Sequence, residues 1–461
     1  TNRSFLSLQL IVQFQKLICR TQIRLSNFVR EQLIEMHPIE IIFSLPMSLA
    51  ISILGEWIDI KDISSLDHAC ITNSSVRNKL LELLKSPYFS TGGTNTEVIN
   101  EIEYLEWLAI RNISPRLITL VNPKMAYSNT VHGELFRALE VSSVERLVVN
   151  GKDEVAVLVK RICRGSKRLN SLFFSNLVWL TYPKLRGILK DCWRTLRILH
   201  IDTVKHLHGP YFAQIAHYLV HLTELMLGRI DLSPILLDAL TKHCRQLTTL
   251  QFTSCPIYES TLITFIQSFT QTPSAAVVPR QRLYASATNA RYDSANQLSH
   301  QCSSQLRSIM LTNNTGISLQ AVSHVISSTC TSLTKLCLVG DYSDAYALTS
   351  DALIYASKSL PQLQHLDVSK NNYITDMAVT SVTENCTQLR MLSIHSCRRI
   401  TDTSVAAIAR NCTCLMYLDL SWCDNITNNA LQLLRGGNSG LRTSLRQLRI
   451  NSCYRITSLE E

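Results

Sequence analysis

The chain has 461 residues, of which 46% are hydrophobic and 17% are charged, and its formal net charge is +10. This charge could suit a nucleic acid, but no recognised nucleic-acid module accompanies the arginines. We therefore expect no nucleic-acid partner and interpret the basic residues as a solvated face or one complementary to an acidic protein. No apolar run is long enough to span a bilayer, so we expect no membrane partner.

Residues 1–40 are predicted to form a basic amphipathic helical segment. Its first thirty residues contain five basic side chains and no acidic one: Arg3, Lys16, Arg20, Arg24 and Arg30. Phe5 to Phe14 is apolar but is interrupted by Gln9 and Gln13, which makes it a poor signal sequence. Because the chain begins with Thr1 and stops at Glu461, just beyond a repeat, we expect it to be a fragment.

Residues 41–86 contain apolar side chains at helical spacing. They fall into two stripes, the first made of Leu49, Ile53, Leu54 and Ile58 and the second of Ile63, Leu66 and Cys70. Asp62 lies where it could cap the second helix. The pattern predicts a small helical domain, and the simplest interpretation is a cap that closes the open end of a repeat array.

Residues 87–140 are predicted to be a linker and a first degenerate repeat, opened by Leu105 and Leu108. Residues 141–461 then carry a recurring phrase with two cysteines, three aliphatic residues and a final Ile-Thr. It begins at Cys386 and again at Cys412, and a third copy from Leu445 lacks the first cysteine. Its middle aliphatic residue recurs at Leu147, Leu172, Leu199, Leu225, Leu250, Ile309, Leu336, Leu366, Leu392, Leu418 and Leu448. This period predicts an α/β leucine-rich-repeat solenoid (a horseshoe) of about 11–12 repeats.

The positions within each phrase have different structural roles. The aliphatic residues share one face of a short strand, so Tyr417, Asp419 and Ser421 are predicted to face the concave side. Thr401 stands where a side-chain oxygen could start a helix, which we predict over residues 404–411. No repeat could fold alone, because its neighbours complete its core.

Two steps in the series are too long. The step from Leu250 to Ile309 contains residues 271–300, which lack apolar periodicity and which we interpret as a surface insertion. A degenerate repeat around Leu283 is the alternative. The shorter excess before Leu448 contains residues 436–440, which we interpret as a flexible turn.

The chain has 15 cysteines, and most recur at two places in the repeat. The first place holds Cys192, Cys244, Cys302, Cys330, Cys386 and Cys412, and the second holds Cys255, Cys397, Cys423 and Cys453. Equivalent positions stack in successive repeats, so we expect small buried thiols rather than disulfides or metal ligands. Free thiols predict a reducing compartment, the cytoplasm or the nucleus.

No motif for catalysis is present: there is no nucleophile with a base at motif spacing, no phosphate-binding loop and no paired carboxylates. We therefore expect no enzyme activity, no catalytic residues, no cofactor and no metal. His200, His365 and His395 lie on strand faces, where they are expected to be contact or solvent-facing residues.

The segment that starts at Leu45–Pro46 resembles an F-box, and with the cysteine-containing repeats the chain resembles the F-box and leucine-rich-repeat family of substrate receptors for SCF-type ubiquitin ligases. It departs from the family pattern in having Ile63 where leucine is usual and Val76 and Arg77 where a tryptophan is common. The resemblance implies docking onto a Skp-family adaptor, and through it a cullin scaffold. The implied adaptor-binding residues are Leu45, Pro46, Leu49, Ile53, Leu54, Ile58 and Leu66.

A protein substrate would then bind the concave face or its upper rim, where aromatic residues and arginines are the strongest candidates. They are Phe173, His365, His395, Tyr417, Trp422 and Arg449. Trp422 is the foremost of them, and the alternative is that it packs along the rim against Arg398 or Tyr454. Two other functions stay open: an interaction scaffold whose N-terminal helices only cap the solenoid, and a GTPase-activating or ligand-sensing solenoid.

Overall fold

The computed structural model describes residue 67 and residues 74–85, 107–114, 116–121, 139–152, 155–269, 305–341, 347–436 and 439–457. The chain divides into two compact units, Thr1–Leu196 and Arg197–Glu461. The predicted segment 1–40, most of the predicted helical domain 41–86 and the predicted insertion 271–300 lie outside the described residues.

The described part of the N-terminal unit contains three parallel strands and the helices that accompany them. Its described elements are α1 (Ser74–Leu84), β1 (Leu117–Val121), β2 (Arg146–Asn150), α2 (Ala156–Gly165), β3 (Ser171–Ser175) and α3 (Tyr182–Cys192). β2 pairs with both β1 and β3, through Leu117↔Arg146 and Arg146↔Ser171. Helix α2 buries Leu158, Val159 and Ile162, which its helical spacing places on one face.

The C-terminal unit repeats the same strand-and-helix arrangement. Its strands are β4 (Ile198–Asp202), β5 (Glu224–Gly228), β6 (Thr249–Thr253), β7 (Ser308–Thr312), β8 (Lys335–Val339), β9 (His365–Asp367), β10 (Met391–Ser393), β11 (Tyr417–Asp419) and β12 (Gln447–Arg449). Its helices are α4 (Gly209–Ala213), α5 (Pro234–His243), α6 (Glu259–Ser268), α7 (Leu319–Thr329), α8 (Ser350–Ser359), α9 (Asp376–Asn385), α10 (Asp402–Asn411), α11 (Asn428–Arg435) and α12 (Ser439–Ser444). Each strand pairs in parallel with the next in sequence, which requires a crossover connection between them. The predicted leucine-rich-repeat solenoid is confirmed.

The repeat around β10 and β11 shows why the sequence folds this way. Leu418 is fully buried in its strand. The Thr401 hydroxyl accepts a hydrogen bond from the backbone N–H of Thr403 at 3.2 Å and so caps α10. This helix begins two residues before the predicted start, and it buries Val405 and Ile408 completely, as predicted.

The two long steps have different structural outcomes. β6 pairs directly with β7 through Leu250↔Ile309, and the alternative repeat around Leu283 lies outside the described residues. The turn predicted at residues 436–440 is only partly correct, because α12 begins within it, at Ser439. Leu441 is buried in that short helix, so hydrophobic burial outweighs the turn-forming tendency of the glycines beside it.

The cysteines at the second recurring position form hydrogen bonds from one repeat to the one before it. The thiols of Cys397, Cys423 and Cys453 donate to the carbonyls of Val368, Ile394 and Leu420 in the preceding repeats, at 3.4, 3.2 and 3.1 Å. Burial raises the pKa of Cys397 to about 12, so its thiol stays protonated and can donate. The cysteine at this place therefore both fills the core and satisfies a backbone carbonyl that faces away from water.

None of the described cysteines forms a disulfide, and the predicted buried thiols are confirmed for every named position except Cys302, which lies outside the described residues. Two cysteines outside the recurring places are less buried: Cys337 is partly exposed and Cys414 is exposed. In two repeats an asparagine replaces the cysteine. Asn314 and Asn371 donate from their amide nitrogens to Phe252 and Leu338, at 2.9 and 2.8 Å, and so satisfy the equivalent carbonyls.

A left-handed backbone conformation recurs two residues after the last inward-facing apolar residue of each phrase, immediately before the second cysteine position. The non-glycine residues there have φ between 51° and 62°: Asn176, Thr203, Arg229, Ser254, Asn313, Lys370, Ser396, Trp422 and Ser452. Asparagine tolerates this conformation, whereas a β-branched side chain is strained in it. Thr203 is therefore a poor residue for its position.

We expect Thr203→Asn to raise the free energy of unfolding by about 1 kcal/mol, because it relieves this strain without the extra chain entropy of a glycine. Chemical denaturation followed by circular dichroism measures the change. Thr203→Val is the matched control, since it keeps the branched Cβ and should give no gain. Equal midpoints for the asparagine and valine variants would contradict the argument.

Candidate interaction surface on the strands and their rim

Four of the predicted contact residues lie on the outward faces of the last repeats or directly after them. His365, Met391 and Tyr417 occupy the same register position on adjacent strands β9, β10 and β11. Arg449 on β12 lies opposite Asp419. His395 follows β10, in the segment that leads to the next helix. The solenoid thus brings together side chains that are up to 84 positions apart, from 365 to 449.

Tyr417 is the centre of this group. Its hydroxyl donates to Asp419 Oδ2 at 3.0 Å, and the Arg449 guanidinium lies 5.4 Å from the centre of its ring. Burial, and then the neighbouring Asp419 carboxylate, raise the pKa of Tyr417, so the phenol stays protonated as a donor. The arrangement presents a polarised aromatic ring beside a cation, which suits protein recognition.

Asp419 and Ser421, two of the residues predicted to face the concave side, are buried. Asp419 is 8% exposed and Ser421 is 4% exposed. The Asp419 carboxylate accepts from the Ser421 N–H at 3.0 Å and from the tyrosine hydroxyl, while the Ser421 hydroxyl accepts from the Asn451 N–H. These two side chains satisfy backbone and neighbouring donors and are not free for a ligand.

The histidines make local contacts. Burial, and then the positive charges of Lys335 and Arg390, lower the pKa of His365, so its ring is neutral at neutral pH. A ring nitrogen of His395 lies 3.1 Å from the Ser396 hydroxyl. His200 on β4 lies 2.5 Å from a carboxylate oxygen of Glu224 on β5.

Phe173 belongs to the N-terminal unit. It lies on β3 opposite Val148 of β2, and the Arg146 guanidinium is 5.3 Å from the centre of its ring. The same pairing of an arginine with an aromatic ring therefore occurs on this strand face. Its role as a substrate contact stays a prediction.

Trp422 lies in the segment after β11 and is 47% exposed. Its ring meets that of Tyr454 edge to face, with 6.3 Å between centroids and an interplanar angle of 87°. Tyr454 is thus one of the two residues, with Arg398, against which the alternative interpretation packs Trp422. Because about half of the indole remains open to solvent, the packing leaves area for a ligand.

The segments after β9, β10, β11 and β12 place further aromatic and basic side chains along the same edge as Trp422. We call Tyr373, Arg398, Arg399, Trp422, Tyr454 and Arg455 the C-terminal rim patch. The Arg399 guanidinium lies 4.9 Å from the ring centre of Tyr373. Backbone bridges Thr375↔Arg399 and Thr427↔Arg455 continue the parallel pairing into these segments and hold them in register.

Sequence reasoning identified only Trp422 of this patch as a site residue. A signal was nevertheless present, because Arg398 and Tyr454 directly follow the second cysteine of their phrases, as Asp424 follows Cys423. The variable residue after a recurring buried cysteine marks the rim of each repeat.

A buried carboxylate, Asp67, forms a polar cluster at the start of the repeat array in the N-terminal unit. It is fully buried and accepts from Arg77 Nε at 2.8 Å, Arg111 Nε at 2.6 Å and Trp107 Nε1 at 3.2 Å. Burial tends to raise the pKa of this carboxyl, but the hydrogen bonds from Arg77 and Arg111 outweigh it and the pKa lies below its usual value. Asp67 and Arg77 fall within the predicted helical domain 41–86, so the cluster ties that segment to the residues just before β1.

The predicted adaptor-binding residues Leu45, Pro46, Leu49, Ile53, Leu54, Ile58 and Leu66 all lie outside the described residues. Among the residues that are described, no three His, Cys, Asp or Glu side chains come together as they would around a metal ion. None of the described helices is long and apolar enough to cross a membrane.

No protein-family model matches the chain, and no curated protein matches it. Among solved structures, a chain in the crystal structure of the Rad7 and Elc1 complex in yeast is similar, with a TM-score of 0.55 and 14% sequence identity. The similarity covers 97% of this chain and 95% of that chain. At this identity the likeness concerns the fold, and it extends over nearly the full length of both chains.

Proposed function

We propose that this chain is the substrate-recognition subunit of an SCF-type ubiquitin ligase in the cytoplasm or nucleus. Its F-box-like segment, residues 41–86, binds a Skp-family adaptor and through it the cullin scaffold. The outward strand faces of the repeats hold a protein substrate. The chain performs no chemistry itself and works by bringing the substrate to the ubiquitin-charged enzyme.

The similarity to the chain from the Rad7 and Elc1 complex is the observation that carries the proposal. It spans 97% of this chain, so it includes the region before the repeats as well as the repeats themselves. That relative was solved with a second protein, Elc1. A non-catalytic solenoid that binds a partner protein is therefore an economical interpretation of the whole chain, and the Leu45–Pro46 pattern supports an adaptor as the partner.

The Asp67 cluster supports the same proposal on physical grounds. A bridging receptor works only if its adaptor-binding segment keeps a defined orientation to the nearest repeats. Three donors converge on one buried carboxylate, two of them arginines whose side chains are 31% and 19% exposed. Charge-assisted hydrogen bonds of this kind are directional and fix side chains from separate segments in one geometry.

We expect the full chain to retain a Skp-family adaptor in a pull-down, and Leu45→Asp with Pro46→Ala to abolish retention, because a buried charge in the docking face has no partner. Elc1 serves as a second bait, since it is the partner in the similar structure. Met377→Asp is the matched control: it also introduces an acid, but at a side chain that is 74% exposed on α9.

Retention of neither bait by the unchanged chain would show that the ligase proposal is wrong and leave an interaction scaffold with a helical cap. Equal loss with the Met377→Asp control would show that the double variant acts through general destabilisation rather than through a docking face.

A further inference from the structure

We propose that the C-terminal rim patch binds a short acidic segment of a partner protein, one that carries carboxylates between apolar side chains. This inference rests on the proposed function only in naming that partner as the substrate. The observations that carry it are the exposed ring of Trp422, the charges beside it and the spacing of the four rim segments.

Trp422 occupies the recurring left-handed position with φ of 60°. The equivalent residues in the adjacent repeats are Ser396 and Ser452, which are small and polar. This conformation costs an ordinary residue about 1–2 kcal/mol, but it belongs to the repeat, since Arg229 and Lys370 also adopt it. The core does not require an indole here, because Trp422 is 47% exposed and serine occupies the position in both neighbouring repeats. An exposed aromatic residue that the core does not require is a candidate contact residue.

The charges around Trp422 favour an anionic ligand. Arg398, Arg399 and Arg455 are exposed, and no carboxylate of the described residues pairs with any of them. Asp424 is the single acidic residue within segments 370–373, 396–399, 422–425 and 452–455. Arginine binds carboxylates through two parallel hydrogen bonds, and exposed tyrosine and tryptophan rings supply apolar area beside it.

The spacing fits a peptide of a few residues. Adjacent strands lie about 4.8 Å apart, so four neighbouring rim segments span about 14 Å, and an extended peptide advances about 3.3 Å per residue. Some four residues of an extended chain would therefore cross the patch from Tyr373 to Tyr454. Because successive side chains of an extended chain point to opposite faces, a peptide in which pairs of acidic residues alternate with pairs of apolar residues would present both carboxylates to the arginines and apolar groups to the rings.

A nucleic acid fits this surface less well. Its backbone carries a charge at every phosphate, and binding depends on a continuous basic track. On this surface Asp424 interrupts the patch, and Asp367 and Asp419 lie on the strands just before it. A peptide whose carboxylates are separated can avoid these acids, so the charge pattern favours the protein ligand.

Fluorescence anisotropy with the full chain tests the proposal. The probe is a fluorescein-labelled peptide that repeats the sequence Glu-Glu-Leu-Leu, compared with a peptide that repeats Lys-Lys-Leu-Leu and with single-stranded oligothymidylate. We expect the glutamate peptide to bind most tightly and to weaken as salt is raised. We expect Arg398→Glu with Arg399→Glu, and separately Trp422→Ser, each to weaken binding by about tenfold or more. Serine is chosen because both neighbouring repeats have it at this position.

Arg442→Glu with Arg446→Glu is the control for the arginine pair. It makes the same charge change at two exposed residues, one on α12 and one directly before β12, away from the C-terminal ends of the strands, and should change the affinity by less than about twofold. Equal weakening by this control, tighter binding of the lysine peptide, or tighter binding of oligothymidylate would each overturn the proposal. The same rim variants are also tested for retention of the Skp-family adaptor. We expect them to retain it, which separates peptide binding from the proposed function. A chain that binds the peptide but no adaptor would count against the ligase proposal alone.

Discussion

Replacing Asn371 by alanine is expected to lower the free energy of unfolding of the C-terminal unit by about 3 kcal/mol, because several buried backbone groups lose their partners at once. Asn371 is fully buried. Its amide nitrogen donates to the carbonyls of Leu338, Val368 and Ser369 at 2.8, 2.9 and 3.1 Å, and its oxygen accepts from the Leu348 N–H at 2.9 Å.

Asn371→Cys should recover part of this loss. Cysteine occupies the equivalent position in the next two repeats, where its thiol donates to the same carbonyl of the preceding strand. The Leu348 N–H would still lack its acceptor, so we expect this variant to lie between alanine and asparagine. Chemical denaturation followed by circular dichroism ranks the three proteins.

Asn429→Ala is the matched control, since it makes the same substitution at an exposed residue of α11. It should leave the midpoint unchanged or raise it slightly, because alanine has the higher helix propensity. Asn371→Ala and Asn429→Ala with equal midpoints would refute the role assigned to the buried amide. If Asn371→Ala were as stable as Asn371→Cys, the hydrogen bond to the carbonyl of the preceding strand could not explain why asparagine and cysteine both occur at this position of the repeat.

Asp67→Asn is expected to lower the free energy of unfolding of the N-terminal unit by about 2 kcal/mol. Breaking a fully buried ion pair costs about 3–5 kcal/mol, and the value is reduced here because Arg77 and Arg111 remain partly open to water. Asparagine preserves the shape of the side chain and one acceptor, so the loss reports mainly the charge. Local proteolysis between α1 and β1 gives a second measurement.

The effect of Asp67 depends on pH in a defined direction. Its pKa in the folded chain lies below the usual value, because the hydrogen bonds from the two arginines outweigh burial. The carboxylate therefore contributes its full stability above the unfolded pKa of about 3.9 and loses it as pH falls through the folded pKa. We expect the difference between wild type and Asp67→Asn to be constant near neutral pH and to shrink in acid.

Asp238→Asn provides the contrast. Asp238 pairs with Lys242 at 2.7 Å on α5, but both side chains are more than half exposed, and such pairs contribute little. Two results would be inconsistent with a buried carboxylate that is stabilised by its arginines. The first is a loss in the free energy of unfolding for Asp67→Asn that grows as pH falls. The second is a loss no larger than that of Asp238→Asn.

The repeat period was predictable from the chain because it reflects burial, which depends on residues a few positions apart. Leu392 and Leu418 recur with the strand, Val405 and Ile408 with the helix, and the side chains at these places are indeed buried. The cysteines became identifiable as core residues for the same reason, since stacking equivalent positions gives each the same neighbours. The sequence by itself thus determined the fold class and most of the repeat register.

The tertiary structure alone decided which distant side chains meet. Asp67 and Arg111 are 44 positions apart, and no local pattern pairs them. Asp419 is only 8% exposed and accepts hydrogen bonds from Tyr417 and Ser421, although alternation along the strand predicts no more than an outward-facing side chain. Trp422 takes a left-handed backbone that serine takes in the neighbouring repeats, and it meets Tyr454 from the next one. Sequence periodicity indicates which positions are buried. Which side chains contact one another depends on their positions in space, and these are set only when the chain folds.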